Sequence, residues 1–474
     1  MSGRVKEVEI GPLRPERFEE ALEAPAYQVF LETIRSAGPL FEGRKVVNVN
    51  STARGGGVAE MLASLLAYAR GAGVDARWLV ITGRPDFFHV TKRIHNNLHG
   101  APGDGGPLGD EEHRIYEETL GFNVPELTEL ISPRDIVLLH DPQTAGLVTP
   151  LKGIGATVMW RCHVGLDTPN AVARGAWEFL RRYVEPADRY IFSRQAFAWE
   201  NLVDDKIVVI PPSIDAFSPK NQEMSAEVMR SILVTTGLMQ GTAVTTPGFI
   251  KVDGTHGRVT RATEMYGAGP FGPETPLVVQ VSRWDRLKDP LGVIRGFVDH
   301  IAPAGDAHLV LAGPAVAAVS DDPEGAEVLE ECRDAWSQLP EEVAGRIHLA
   351  CLPMDDGQEN AAIVNALQRR ADVIVQKSLA EGFGLTVAEG MWKGRPVVAS
   401  RIGGIQDQIE DGVSGVLIDD PSDLAAYGKA VAGLLNDPEK AEQIGRAAQA
   451  RVRDEFLGPR HLMQYMELIA PFIT

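Results

Sequence analysis

Short runs of apolar residues alternate along the chain with longer stretches of helical periodicity. The runs predict buried strands at residues 46–50, 77–82, 135–140, 156–162, 190–193 and 206–210, and again at 278–282, 308–312, 347–352, 373–376, 397–400 and 416–418. Helical patterns fill most of the intervals between them. Strands separated by helices are typical of βαβ units, in which the strands form a parallel sheet. The pattern therefore predicts an α/β fold.

A short segment, Ile210–Asp215, divides the pattern into two halves. Its adjacent prolines, Pro211 and Pro212, stiffen the backbone and interrupt regular structure. The 474 residues also exceed what one hydrophobic core normally holds. We therefore expect two Rossmann-like domains, residues 1–215 and 216–455, that face each other across a cleft.

Two segments lack the regular alternation. Residues 84–121 are polar and glycine-rich and contain histidines without the spacing of metal ligands, which favours solvent-facing or substrate-facing side chains. Residues 235–276 are rich in Thr, Gly and Pro, and we interpret them as a long loop or an insertion. Both segments are expected to be irregular.

The composition narrows the class of protein. A formal net charge of -19 disfavours general nucleic-acid binding, which depends on basic patches. The three cysteines are widely spaced and form no C-x-x-C pair, so they indicate neither a disulfide framework nor a zinc site and fit a reducing compartment. The sequence shows no signal peptide and no apolar run of membrane-spanning length. We expect a cytoplasmic protein with no nucleic-acid or membrane partner.

The stretch Ser378–Gly390 leads from a predicted strand into a predicted helix. Gly382 and Gly384 would let backbone N–H groups approach a ligand closely, and the helix N-terminus behind them favours an anion. Glu389 would lie on the second turn of the helix, where it could accept both hydroxyls of a ribose, whereas Glu381 stays in the loop. Taken alone, the stretch fits a glycine-rich turn with surface glutamates equally well.

Two basic residues, Arg283 and Lys288, follow the first strand of the second half. They lie five positions apart across a turn, where a guanidinium and an ammonium can converge on one dianion. A solvated turn is the alternative interpretation. Because the protein is acidic overall, we favour an anion site.

The first half also carries polar residues after its strands. The loop Arg54–Gly57 enters a helix through three glycines, Gly55, Gly56 and Gly57, which permit close approach to a phosphate or a sugar. The loop is not a G-x-G-x-x-G motif, which disfavours a nicotinamide dehydrogenase. A tight strand–helix junction remains the alternative.

Polar residues stand at the ends of two strands: His140 ends the strand at 135–140, Asp141 follows it, and His163 follows the strand at 156–162. The carboxyl ends of parallel strands meet at one edge of a sheet, where ligands bind. Asp141 could accept from sugar hydroxyls, and His163 could hydrogen-bond a substrate hydroxyl. The alternatives are a loop-capping aspartate and structural histidines.

Three longer motifs, SLAEGFGLTVAEGM, VSRWDRLKDP and IPPSIDAFSP, carry a resemblance. With them, the chain from about Lys45 to its end resembles the retaining GT-B glycosyltransferases of family four. Within that family, NVNSTARGGGVAEML, HDPQ and WRCHVGLD are most similar to the trehalose glycosyltransferring synthases. Those enzymes join glucose from a nucleoside-diphosphate glucose to free glucose and form α,α-trehalose.

The resemblance implies a role for each candidate residue of the second domain, the donor domain. Arg283 and Lys288 would bind the donor diphosphate and stabilise the leaving nucleotide. Glu389 would hold the ribose, and Glu381 would contact the donor glucose. The backbone that meets the donor sugar and phosphates would be that of Gly382, Phe383, Gly384 and Leu385.

The resemblance also implies roles for the first domain, the acceptor domain. Gly56 and Gly57 would face the donor, and His163 would contact its glucose. The acceptor would be bound by His140, Asp141 and His163, and the catalytic set would comprise Arg283, Lys288, Glu381 and His163. A C-terminal helix at about residues 456–474 would cross back to this domain.

The implied chemistry is same-face attack on the donor sugar, assisted by the leaving phosphate. No D-x-D motif is present, so no metal site and no tightly bound cofactor are expected, and any Mg2+ would accompany the nucleotide. A homodimer is expected from the resemblance alone. Two alternatives stay open. One is a retaining trehalose phosphorylase that uses the same Arg283 and Lys288, and the other is a nucleotide-sugar-binding module or epimerase without a glycosyl acceptor.

Overall fold

The computed structural model describes residues 5–53, 56–315 and 323–473. The strands are β1 (Val5–Glu7), β2 (Lys45–Asn50), β3 (Asp75–Ile81), β4 (Ile136–His140), β5 (Thr157–Cys162), β6 (Arg189–Phe192), β7 (Ile207–Val209), β8 (Gly248–Ile250), β9 (His256–Arg258), β10 (Glu264–Gly267), β11 (Leu277–Val281), β12 (His308–Pro314), β13 (Ile347–Leu352), β14 (Val373–Gln376), β15 (Val397–Ser400) and β16 (Val416–Ile418).

The helices are α1 (Ala24–Leu40), α2 (Gly56–Gly71), α3 (Pro85–Leu98), α4 (Asp110–Leu130), α5 (Val148–Gly153), α6 (Ala171–Val184), α7 (Ala226–Thr235), α8 (Pro290–Gly296), α9 (Pro323–Ser337), α10 (Glu341–Ala344), α11 (Gly357–Arg370), α12 (Leu385–Trp392), α13 (Ile405–Gln408), α14 (Leu424–Leu435), α15 (Pro438–Glu455) and α16 (Gly458–Ile469).

The chain divides into two compact units. The first comprises Met1–Ser213 together with Phe456–Thr474, and the second comprises Ile214–Glu455. Each unit contains its own seven-stranded sheet. Because helices alternate with parallel strands in both, the predicted α/β fold with two Rossmann-like domains is confirmed.

The sheet of the first unit has the strand order β1-β3-β2-β4-β5-β6-β7. Only β1 runs antiparallel, and it pairs with β3 at the edge of the sheet. The strand order reverses between β2 and β4, which is the topological switch point where ligands bind in open α/β sheets. His140 ends β4 and Asp141 follows it, so this unit carries two of its predicted acceptor residues at the switch point.

Successive side chains along a strand point to opposite faces of this sheet, and each face packs into its own hydrophobic core. Val49 and Leu139 belong to the core on one face, and Leu138 belongs to the core on the other. That second core includes Ile469, which shows that the C-terminal helix α16 packs on the first unit. The crossing-back of the last helix is therefore observed.

The sheet of the second unit has the order β10-β13-β12-β11-β14-β15-β16. Numbered from β11, its parallel strands follow the dinucleotide-fold order 3-2-1-4-5-6. The switch point lies between β11 and β14. The loop with Arg283 and Lys288 leaves β11, and the loop with Glu381 leaves β14, so the topology brings both predicted donor loops to one place.

The interpretation of residues 84–121 as irregular is wrong. Helix α3 begins at Pro85, and α4 occupies the chain from Asp110 onward. Phe87, Val90 and Ile94 are buried at spacings of three and four, which is a helical stripe within a polar composition. Arg93 holds the glycine-rich part between the helices, because its guanidinium donates to Asp104, to Glu112 and to the carbonyl of Pro107.

The interpretation of residues 235–276 as a loop is only partly right. Strands β8 and β9 form an antiparallel hairpin, and β10 pairs antiparallel with β13 at the edge of the second sheet. These strands have three or four residues each. Runs that short produce too little alternation for a strand to be recognised from the sequence.

Neither a membrane-spanning helix nor a metal-binding cluster of side chains occurs among the described residues. No helix there combines the length and the apolar composition that a membrane span requires. In the same ranges, no group of three or more His, Cys, Asp or Glu side chains has an arrangement suited to a metal ion.

Candidate active site

An ion pair joins the two switch-point loops of the second unit. Lys288 Nζ lies 2.5 Å from Glu381 Oε2, and both side chains are largely buried. The backbone N–H of Leu379 donates to the carbonyl of Leu287 over 2.7 Å and ties the same two loops together. The structure thus brings together two of the predicted catalytic residues, which lie 93 positions apart in the sequence.

Two aspartates hold Lys288 in place. Asp285 Oδ1 accepts the N–H of Leu287 at 2.8 Å, and Asp289 Oδ1 accepts the N–H of Gly292 at 3.0 Å, where it caps α8. Asp289 has the left-handed φ of 48° and forms an ion pair with Lys377. Lys377 is only 1% exposed, so this pair is shielded from water. Sequence reasoning missed Asp285, Asp289 and Lys377, because charged loop residues normally indicate solvent.

Arg283 is placed differently from Lys288. Its guanidinium contacts Asp285 Oδ2 at 2.7 Å, and its side chain is 59% exposed. The structure thus pairs Arg283 with Asp285, whereas Lys288 is paired with Glu381. An exposed guanidinium on a long side chain can turn toward an arriving anion, whereas the Lys288 ammonium is already held at the loop junction.

The glycine loop precedes a helix whose first turn has no side-chain cap. Gly384 adopts φ 83° and is the N-cap of α12, and no side chain there accepts a hydrogen bond from the first turn. The loop carbonyls are engaged elsewhere: the carbonyl of Phe383 accepts from Gln408, and that of Gly382 accepts from Gly404. The N–H groups at the start of α12 and the helix dipole therefore suit a phosphate oxygen, as predicted for Leu385 and its neighbours.

Gly403 packs directly against the backbone of the Glu381 loop. It has φ 47°, and a Cβ at this position would lie 1.9 Å from the carbonyl oxygen of Glu381. A residue other than glycine would collide with the backbone of the loop. The sequence signal was the Gly403-Gly404 pair after a strand, but its contact with Glu381 comes from the tertiary structure alone.

Glu389 lies inside the unit rather than at the loop. It is 2% exposed, and its Oε1 lies 3.4 Å from Lys220 Nζ. Lys393 Nζ donates to the carbonyl of Glu389, and burial lowers the pKa of the Lys393 ammonium while the Glu389 charge opposes that shift. The structure does not bring Glu389 to Glu381, and the assignment of Glu389 to a ribose stays a prediction.

In the first unit, three buried polar residues form a chain across the strand ends. Asn48 Oδ1 lies 2.9 Å from His140 Nε2, and His140 Nδ1 lies 3.2 Å from His163 Nε2. Asn48 comes from β2, His140 ends β4, and His163 follows β5. The structure thus brings together the two predicted histidines and adds Asn48, which was not singled out from the sequence.

Asp141 lies beside this chain in a constrained conformation. It has the left-handed φ of 63°, and its Oδ1 accepts the backbone N–H of His163 at 2.8 Å. The indole N–H of Trp160 donates to the Asp141 carbonyl. Burial raises the pKa of Asp141 to about 6, although the His163 hydrogen bond and the charge of Arg161 act in the opposite direction.

Arg161 is a fully buried cation on the same face of the sheet. Its guanidinium donates to His461 Nε2 at 3.0 Å, to the hydroxyl of Tyr465 and to the carbonyl of Ile210 at 2.9 Å. Burial lowers the pKa of His140 to about 3, and the positive charge of Arg161 adds to that shift. The pKa values of His163 and His461 are lowered for the same two reasons.

The last predicted donor residues start helix α2. Gly56 adopts φ 80° and opens the helix, and Gly57 follows it. Open space surrounds the position of a Gly56 Cβ. The loop residues before them, Arg54 and Gly55, lie outside the described residues.

Comparison with known proteins agrees with this fold. A family model described as "Trehalose synthase, N-terminal domain" matches residues 48–199, and one described as "Glycosyl transferases group 1" matches residues 267–451. The chain is 36% identical over 451 residues to a trehalose synthase of Rubrobacter xylanophilus, and the match covers 94% of each chain. It is 35% identical over 436 residues to a trehalose synthase of Pyrococcus horikoshii, with 92% of each chain covered.

Among solved structures, the chain is similar to a UDP-forming α,α-trehalose-phosphate synthase of Burkholderia vietnamiensis. The TM-score is 0.64 at 14% identity, and the match covers 90% of this chain and 99% of that one. At this identity the similarity shows the fold alone.

The two Rossmann-like units and the glycosyltransferase family model define a glycosyltransferase of the GT-B fold. The two trehalose synthases are more than 30% identical to the chain over almost its whole length, so the chain belongs to the trehalose synthase family.

The Gly403 contact generates a first prediction. Because a Cβ would overlap the Glu381 carbonyl and the left-handed φ disfavours a side chain, Gly403→Ala should lower the free energy of unfolding by more than about 2 kcal/mol. Urea denaturation measures it. Gly433→Ala is the matched control, since Gly433 is exposed on α14 with open space around it, and it should be neutral or slightly stabilising. Equal stability of the two variants would contradict the contact.

The raised pKa of Asp141 generates a second prediction. Between pH 3.8 and about 6 the folded protein holds the Asp141 proton more tightly than the unfolded chain, so ionisation of this carboxyl costs stability as the pH rises. Asp141→Asn removes that cost and tolerates the left-handed backbone. We expect the variant to be more stable than the unchanged protein above pH 6, with the difference vanishing toward pH 4.

The measurement is a set of urea denaturation curves from pH 4 to pH 8. The control is Asp205→Asn, an exposed aspartate of the same unit. This variant measures the effect of an Asp-to-Asn exchange at an exposed position, and the Asp141→Asn curves are compared with it. A variant Asp141→Asn that is less stable than the unchanged protein at pH 8 would contradict the assignment.

Proposed function

We propose that the chain is a retaining glycosyltransferase that moves glucose from a nucleoside-diphosphate glucose to free glucose and forms α,α-trehalose. The observation that carries the proposal is the Lys288–Glu381 pair at the switch point of the second unit, beside the uncapped first turn of α12. It combines a held ammonium, backbone donors and a helix N-terminus, which suit a diphosphate. Membership of the trehalose synthase family supports glucose as both substrates.

The donor binds through an exchange of partners. Lys288 turns from Glu381 to the diphosphate, and Arg283 leaves Asp285 to join it. The two cations then stabilise the negative charge that develops on the leaving nucleotide. Glu381, released from Lys288, accepts hydrogen bonds from the hydroxyls of the donor glucose. The ion pair therefore keeps both side chains of the site ordered until the donor arrives.

The acceptor glucose binds at the switch point of the first unit. Asp141, ionised above about pH 6, accepts from a sugar hydroxyl, and His140 and His163 are neutral there because burial and Arg161 lower their pKa values. Neutral imidazoles can accept as well as donate a hydrogen bond, which suits sugar hydroxyls.

Retention follows from attack on the face from which the nucleotide leaves. The bond from the anomeric carbon to the phosphate oxygen breaks, the bond to the acceptor oxygen forms, and the acceptor proton passes to the leaving phosphate. The transition state is oxocarbenium-like. A covalent intermediate would need a carboxylate nucleophile at the anomeric carbon, whereas in this scheme Glu381 is engaged by the hydroxyls of the donor glucose. No resident metal enters this scheme, and any Mg2+ arrives with the nucleotide.

The proposal is tested by product analysis. The protein is incubated with glucose and ADP-, UDP- or GDP-glucose, and separately with trehalose and inorganic phosphate. We expect α,α-trehalose only where a nucleotide donor is present. Glucose 1-phosphate from trehalose and phosphate, without any need for nucleotide, would replace the proposal with a phosphorylase. Tight binding of nucleotide sugar with no product would replace it with a binding module.

Two substitutions test the diphosphate assignment. Lys288→Ala and Arg283→Ala should each lower kcat by about 100-fold, because each removes a charge that stabilises the leaving nucleotide. The matched control is Arg286→Ala in the same loop. Arg286 is half exposed and pairs with Glu324, Glu327 and Glu331, so the control should keep near-normal turnover. Near-normal rates for Lys288→Ala, with the fold intact, would remove the assignment.

A further inference from the structure

The buried chain of Asn48, His140 and His163 has a defined direction. The three side chains are 3%, 1% and 8% exposed, so water does not compete for their hydrogen bonds. The imidazole planes of His140 and His163 are inclined by only 13°, with ring centroids 5.5 Å apart and nitrogens 3.2 Å apart. The rings therefore meet edge to edge, which is the geometry of an N–H···N hydrogen bond rather than of face-to-face stacking.

The charge state of both rings follows from their surroundings. Arg161 lies on the neighbouring strand position of the same face, and α16 contributes His461, which itself accepts from Arg161. Asp141 is the carboxylate beside them, and it accepts from the backbone N–H of His163 rather than from a ring. A second positive charge here is unfavourable next to buried Arg161, so both imidazoles are neutral. Each has one N–H donor and one acceptor nitrogen.

Asn48 then determines which nitrogen carries the proton. Its Oδ1 can only accept, so His140 Nε2 must donate to it. His140 Nδ1 is left as an acceptor, and His163 Nε2 must donate to it. The lone pair of His163 is thereby placed on Nδ1, for which the described residues offer no hydrogen-bond partner.

The environment of Asn48 supports this role. Its side chain reaches an otherwise apolar cavity lined by residues such as Ile34, Leu62, Leu138 and Met466. An amide in apolar surroundings is costly unless it is hydrogen-bonded. An apolar residue would pack there at least as well, so packing alone does not account for asparagine. The hydrogen bond to His140 accounts for the asparagine at this position.

We propose that Asn48 is a positioning residue: through His140 it fixes His163 as the Nε2–H tautomer, so that Nδ1 of His163 accepts a hydrogen bond from a sugar hydroxyl. The tautomer is a property of the free protein. Its use toward a sugar hydroxyl rests on the proposed function.

The first test reads the tautomers directly. Long-range 1H–15N spectra of the full-length, 15N-labelled protein at pH 7 distinguish protonated from unprotonated ring nitrogens, and His140→Gln and His163→Gln identify the signals. We expect protonated Nε2 and unprotonated Nδ1 in both rings. Asn48→Leu should remove this preference from His140 and His163. A protonated Nδ1 on His163 in the unchanged protein, or a tautomer that ignores Asn48→Leu, would overturn the proposal.

The matched control is Asn50→Leu. Asn50 lies on the same strand and accepts from the indole N–H of Trp78, so its loss removes a buried hydrogen bond but leaves the Asn48–His140 bond in place. The His163 tautomer should survive this change. Loss of the tautomer in Asn50→Leu to the same extent as in Asn48→Leu would show a general structural effect and would also overturn the proposal.

The second test is kinetic. Asn48→Leu should lower kcat for trehalose formation by about tenfold or more, since one oriented hydrogen-bond acceptor is lost, while the Kd for the nucleoside diphosphate stays within about twofold. An unchanged kcat would overturn the role toward sugar. If no trehalose forms with the unchanged protein, the proposed function fails, but the spectra still decide the tautomer.

Discussion

The second unit depends on one ion pair formed between loops that are distant in the sequence. Lys288 and Glu381 each require the other, because a largely buried ammonium or carboxylate without a partner would be strongly destabilising. The aspartate caps, the buried Lys377 and the glycine at 403 all act on the loops that carry this pair. The same pair balances the two buried charges, and in the function proposed above a diphosphate replaces the carboxylate as the partner of the lysine.

The first unit also contains a buried charge, the guanidinium of Arg161. Arg161 is fully buried, and its guanidinium contacts a histidine, a tyrosine hydroxyl and a backbone carbonyl. Two of these contacts come from α16, so the C-terminal helix contributes to the electrostatics of the strand ends as well as to the core. The buried charge keeps neighbouring histidines neutral, and neutrality is what allows a hydrogen-bond chain to assign one proton to each ring.

Sequence reasoning located the parallel strands well, since buried strands in α/β proteins are short continuous apolar runs. The prediction of helices and strands failed where the apolar pattern was weak or too short. The apolar stripe of helix α3 is interrupted by charged residues and histidines, and β8, β9 and β10 are too short to show alternation. For the site, residue type and position near a strand end pointed to Lys288 and Glu381 and to His140 and His163, and the structure brings each of these two pairs into contact. Asn48 could have been found as a polar residue within an apolar strand.

By itself, the sequence determined the α/β class, the two halves and the residue types at the strand ends, because these depend on local pattern and on the rule that strand ends collect ligands. Only the tertiary structure decided which residues meet. Strand order placed the β11 and β14 loops side by side, packing set Gly403 beneath Glu381, and α16 delivered His461 to Arg161. Such contacts join residues up to 300 positions apart, and no local pattern encodes a distance of that kind.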